Sequence, residues 1–156
     1  MATYAALSAG GAVKWCASAS GTTRPTSGYT ELKGVTAVPA FGDQPGTLDV
    51  TAIANKNRVY IFDLPDSGGL IALTVNDADD FRTSYASMKS AYDTATAANK
   101  GFWIEYAYPS ETNIDSFFYP AAIHGLGFGG WEVGAAMGNS VPIAPAGDFV
   151  WASKST

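Results

Sequence analysis

Only one stretch of this chain has the period of a helix. Phe81, Tyr85, Met88, Tyr92 and Ala95 follow one another at spacings of four, three, four and three, an apolar stripe on one helical face. Arg82, Ser84, Ser87, Lys89 and Asp93 fall on the opposite face. Ahead of the stripe, Asn76-Asp-Ala-Asp-Asp supplies a capping residue and an acidic first turn, which suit the positive end of a helix. Behind it, Asn99-Lys100-Gly101 can take the left-handed conformation that closes one. With a single helix available, the remaining core has to come from strands.

The strand signals are short and many. Residues 11–18 read as a first strand. Arg58-Val-Tyr-Ile-Phe is rich in β-branched and aromatic residues, and Leu64-Pro-Asp-Ser-Gly-Gly is a turn signal before Leu70-Ile-Ala-Leu-Thr-Val; two runs this close predict a hairpin. Gly101–Tyr108 returns to an aromatic β-pattern, Pro109-Ser110 marks a turn, and Asp115–Tyr119 is a further run. Residues 121–137 read as one or two strands, with glycines marking bulges or close backbone approach. Residues 141–151 are extended, and Pro142 and Pro145 assign that segment to an edge or a tail. The expected fold is mainly β with one helix: a β-sandwich or barrel-like sheet with a flanking α-helix and a long inter-strand loop. One domain over residues 1–156 is expected, with an extended loop or arm at about 21–46 and an extended C-terminal segment at about 141–156. The arm holds Gly, Pro, Ser and Thr throughout and few apolar residues, the composition of a segment that orders against a neighbour. Excising residues 22–44 is therefore expected to leave a folded domain that has lost its contact with that neighbour and no longer assembles.

Composition adds the reason to expect an oligomer. Apolar residues make up 47% of the chain and charged ones 15%, well below the usual charged share of about 25%, and apolar surface that a lone molecule would expose marks an interaction site. The net charge is −5. Nucleic-acid binding by phosphate neutralisation needs clustered Lys and Arg, which the chain lacks; an acidic surface repels DNA. No apolar run is long enough to span a bilayer, and the N-terminus lacks the basic region of a signal peptide. The single Cys16 reads as a core or interface residue of a protein made in a reducing compartment.

Each candidate chemistry fails on spacing. Cys16 and His124 could form a nucleophile–base pair, yet the one histidine reads better as structural. One Cys and one His do not make a zinc site. Residues 125–130, Gly-Leu-Gly-Phe-Gly-Gly, match the dinucleotide fingerprint formally, but Gly134, Gly138, Pro142 and Pro145 follow where a helix is required, and Asp148 sits in a proline-rich tail. Asp77, Asp79 and Asp80 open no calcium loop, because Arg82 and Met88 stand where Gly and Glu are needed. No catalytic, cofactor-binding or metal-binding residue is assigned, and no cofactor is expected.

The ordered series resembles a known family. Residues 44–53, Gln-Pro-Gly-Thr-Leu-Asp-Val-Thr-Ala-Ile, then 58–69, Arg-Val-Tyr-Ile-Phe-Asp-Leu-Pro-Asp-Ser-Gly-Gly, then the acidic cap, the helix and the closing 141–151, Val-Pro-Ile-Ala-Pro-Ala-Gly-Asp-Phe-Val-Trp, are similar to the major tail tube proteins of long-tailed bacteriophages (siphoviruses). The likeness spans about residues 31–151. The turn after Leu64 is one residue longer than the family's simplest form. The resemblance implies a structural virion protein, not an enzyme: hexameric rings stacked into the tail tube, inner sheets joined across subunits, and a long loop within residues 21–46 and termini that reach adjacent rings. It implies the chain itself as main partner, a tape measure protein inside the tube, tail-end proteins at its ends, and DNA passing through without specific binding. No membrane is involved. The protein would be made in the host bacterial cytoplasm and reside in the virion tail. Since no residue follows Thr156, no appended immunoglobulin-like domain is expected. The alternatives are another ring-forming virion protein, such as a tail terminator or capsid decoration protein, and a small-ligand-binding β-barrel.

Overall fold

The computed structural model describes residues 11–42, 44–66, 69–107, 115–123 and 125–155. The Pro109-Ser110 turn lies outside them. The strands are β1 (Ala12–Ala17), β2 (Thr30–Glu31), β3 (Val35–Ala37), β4 (Gln44–Asp49), β5 (Tyr60–Asp66), β6 (Ile71–Asn76), β7 (Phe102–Ala107), β8 (Asp115–Ile123), β9 (Gly127–Phe128), β10 (Gly138–Pro145) and β11 (Val150–Ser153), with helix α1 (Asp79–Ala97) between β6 and β7. The protein is mainly β with one helix, as the sequence predicts.

Nine strands form one antiparallel sheet along the path β2-β1-β7-β8-β10-β6-β3, with β11 beside β8 and β9 beside β10. β8 joins its two halves. Its Phe117–Pro120 part pairs with β7, while Ala121–Ile123 pairs with β10. The sheet curls there, and side chains from both halves meet α1 in one core. Val13, Ile104 and Tyr119 come from one half, Leu73, Val75, Val141 and Ile143 from the other, and Phe81 and Met88 from the helix. β6 shows the physics most simply: Ile71, Leu73 and Val75 are buried and the residues between are exposed, each buried side chain contributing about 1.5–3 kcal/mol. The helical stripe faces this core, with Phe81, Met88 and Ala95 buried and Tyr92 set edge-on to Phe102 at 5.5 Å.

The helix ends differ from each other. Asn99 takes φ 54 and the Lys100 N–H reaches the Ala95 carbonyl at 2.8 Å, so the predicted left-handed close is present. At the other end the capping position is Ala78, which offers no side-chain cap. Asp77, in the stretch expected to supply the cap, is taken instead by Arg82, whose Nε and Nη2 donate to its carboxylate at 2.6 and 2.9 Å. That contact holds the Asp77 carboxyl below the usual carboxylate range. Asp79 and Asp80 stay in the first turn, where the helix dipole favours them.

Three other expectations change. The run at 58–62 does not pair with the run at 70–75: β5 turns back on β4, whereas β6 lies between β10 and β3. Burial decides this, because β6 alternates into the core while Tyr60, Ile61 and Phe62 are all exposed. The segment from residue 138 is central, not an edge. Val141, Ile143 and Asn139 are buried, and the prolines fit because the ladder changes sides along β10. Pro142 lies opposite Ala72 of β6 and Pro145 opposite Ala121 of β8, each with one ladder partner among the described residues, leaving a side where a missing N–H costs nothing.

The third change concerns the arm. Much of residues 21–41 lies on its own domain. Arg24 sits 4.5 Å over the Phe118 ring and Tyr29 meets the same ring edge-on at 5.6 Å, covering the outer face of β8. Beside them the fully buried Glu105 carboxylate accepts the Ser155 N–H at 3.1 Å and the Ser155 hydroxyl, which fastens the C-terminal segment. Next, Leu32 enters the core at 2% exposure. Gly34 at φ 80 passes so close to Phe81 that a Cβ would lie 2.9 Å from it. Phe41 packs on Tyr106 at 4.5 Å and on Phe149 at 5.7 Å.

Within the core, the Tyr106 and Tyr119 hydroxyls lie 2.5 Å apart. Burial pushes the phenols of Tyr106, Tyr119 and Tyr29 well above their ordinary value. In the unfolded chain they ionise near pH ~10. Below that pH both states keep their protons and the contribution is fully present; above it only the unfolded state gains by ionising, so stability falls as pH rises. Tyrosinate absorbance followed with circular dichroism is expected to show these phenols ionising only as the fold is lost. Ionisation of all eight tyrosines with the fold intact would contradict this.

Candidate assembly surface

The described residues among those singled out for chemistry form no site. Cys16 is buried, its thiol lies 3.8 Å from the Ser27 carbonyl oxygen, and burial raises its pKa, which makes it a poor nucleophile. His124 lies outside the described residues. No group of three His, Cys, Asp or Glu able to hold a metal occurs among the described residues. The glycine segment is followed by turn and loop through residue 137, not by the helix a dinucleotide site requires. Asp148 is on an exposed loop.

The unusual surface is elsewhere. β4 and β5 pair only with each other, in register Thr47–Phe62, Leu48–Ile61 and Asp49–Tyr60, and the Val50 N–H extends the ladder to the Val59 carbonyl at 2.9 Å. Every residue from 46 to 63 is exposed. Because strand side chains alternate, Leu48, Val50, Val59 and Ile61 share one face. Thr47, Asp49, Arg58, Tyr60 and Phe62 share the other, where Arg58 lies 4.0 Å from Asp49 and 3.5 Å from the Tyr60 hydroxyl. The tip is tied internally. Thr51 donates its N–H to Asp49 at 2.9 Å and its hydroxyl to the same oxygen, contacts that lower the Asp49 pKa. The Val59 N–H reaches the Thr51 hydroxyl at 2.9 Å, and the Asn55 N–H the Ala52 carbonyl at 2.9 Å. Ile53 stands at this tip fully exposed.

A second exposed apolar patch follows β9. Phe128, Trp131 and Val133 are 76%, 80% and 103% exposed, on a loop pinned at its neck by the Gly129 N–H on the Gly138 carbonyl at 3.1 Å. The sequence predicts strands here and the reaching segment at 21–46. Apolar residues flanked by Gly, Asn and Lys at 50–57 and 129–138 were the available signal.

The sequence matches no protein-family model and no curated protein. Solved structures do match. A chain of the anti-feeding prophage (AFP) baseplate, six-fold symmetrised, superposes with a TM-score of 0.59 over 97% of both chains at 10% identity. A chain from the tail of the empty gene transfer agent (GTA) particle, of C6 symmetry, superposes with a TM-score of 0.53 over 90% of this chain and 93% of that one, at 16% identity. The protein shares their fold. The agreement runs through nearly the whole length of each chain.

Proposed function

We propose that this chain is a structural subunit of a phage-type tail, and that it polymerises as stacked hexameric rings into the tube through which DNA is ejected. The carrying observation is the β4–β5 hairpin, an exposed ladder with an apolar face and a hydrogen-bonded tip, which pairs with no other strand among the described residues. Two-stranded hairpins are marginal alone, and exposed apolar surface of this kind marks an interface. The shared fold with subunits of six-fold tail and baseplate assemblies supports the reading. So do the end strands β2 and β3, which could continue the sheet into neighbours around a ring.

In this reading the acidic chain adds −5 per subunit to a wall that DNA crosses without sticking. A tape measure protein would occupy the lumen before ejection, and tail-end proteins would cap the tube. The subunit is made in the host cytoplasm, resides in the virion and performs no catalysis. A tail terminator or decoration protein would stop at one ring or trimer. A carrier would need interior space, yet the curl is filled by Leu73, Val75, Ile104, Tyr119, Val141 and Ile143 packed with Phe81 and Met88. Sizing across concentration tests the proposal: mass is expected to grow into open-ended polymers, and a monomer that binds a lipophilic dye in one saturable site would favour the carrier.

A further inference from the structure

Resting on the assembly reading, we infer that the β4–β5 hairpin of one copy docks on the 127–137 loop of another copy, apolar face against apolar loop, with Lys56 meeting Glu132. Both patches are uncovered in the single chain: Ile53 and Val133 are fully exposed, and Trp131 nearly so. Neither Lys56 nor Glu132 has an ion-pair partner among the described residues.

Their charges are complementary. Arg58 stands beside Asp49 on the other face, so the charge the tip offers is Lys56, in a stretch, residues 50–57, that holds no acid, on a chain whose net charge is −5. Glu132 is exposed and lies between the exposed Trp131 and Val133 in the chain, so the loop carries a carboxylate next to its apolar residues. A partner for the hairpin must therefore offer apolar area and negative charge together, and this loop offers both. The shapes also agree. The hairpin is held rigid by its ladder and tip bonds, and the loop is held at its neck on β10, so neither has much freedom to lose on docking. Two different patches on one chain make a heterologous contact, which builds an open stack when its rotation does not close into a ring, and stacking along a tube requires a contact of that kind. The contact leaves the Asp49–Arg58–Tyr60 face of the hairpin in solvent, where its polar groups are already partnered.

Full-length chains carrying Ile53→Cys and, separately, Val133→Cys are mixed under assembling conditions and mildly oxidised. A disulfide-linked dimer of the mixture, absent when either variant is oxidised alone, is expected. In parallel, Lys56→Glu or Glu132→Lys alone is expected to raise the concentration needed for polymerisation at least tenfold, since like charges then meet in the interface, and the double exchange should restore most of it. Wild-type polymers whose mixed variants polymerise without cross-linking, and a double exchange no better than either single one, would overturn this docking while leaving the assembly reading intact. Wild-type protein that never polymerises would instead overturn the assembly reading itself.

Discussion

Replacing Leu48, Val50, Val59 and Ile61 together by threonine is expected to yield a folded, soluble monomer that no longer polymerises. These four side chains form one face of a hairpin whose residues 46–63 are all exposed. Removing them takes nothing from the core, and exposed substitutions usually change stability by no more than about 0.5 kcal/mol. Threonine is β-branched and keeps the preference for a ladder. Association should respond very differently. Burial of one such side chain contributes about 1.5–3 kcal/mol, and about 1.4 kcal/mol is a tenfold change in affinity, so losing four at each contact moves assembly by several orders of magnitude. Thermal unfolding and sedimentation of the same sample separate the two effects. An unchanged melting temperature with a monomeric mass is the expected pair. Polymers formed as readily as by the parent chain would show that the face is not an interface.

Deletion of residues 22–41 is expected to abolish folding. The composition of this segment suggests a detachable arm, but its contacts say otherwise. Leu32 is 2% exposed in the core, Val35 pairs with Val75, and Phe41 packs among Tyr106, Phe117 and Phe149. Arg24 and Tyr29 cover Phe118 from the other side. Truncating a single buried leucine costs about 2–5 kcal/mol, against a total stability of about 5–15 kcal/mol for a domain. Removing this one together with its neighbours exceeds what the rest supplies. Near-ultraviolet circular dichroism and urea titration of the deleted chain would show no cooperative transition. A cooperative transition close to that of the parent would place the segment outside the core.

What could be read in the sequence was local chemistry. The stripe from Phe81 to Ala95, the left-handed Asn99, the aromatic strand at Phe102–Ala107 and the alternation of Ile71, Leu73 and Val75 all follow from periodicities that the backbone imposes. Pairing was harder to see, because it depends on which partner an apolar run finds. Tyr60-Ile61-Phe62 would look the same in a core, and only their exposure shows that they await something else. Pro45 and Gly46 hid β4, and Pro142 and Pro145 disguised a central strand as an edge, since sequence does not record on which side a ladder ends. Leu32 and Phe41 were missed because isolated apolar residues in a polar segment carry no period. The candidate surface was legible only as composition: too few charges for a chain that stands alone, with no indication of which residues would be left in the open.

Negative-stain electron microscopy of the purified full-length chain at increasing concentration tests the central claim most directly. The account predicts discrete rings and then tubes of uniform width, lengthening as concentration rises. Fields of dispersed single molecules at every concentration, with a matching monomer mass in solution, would contradict it.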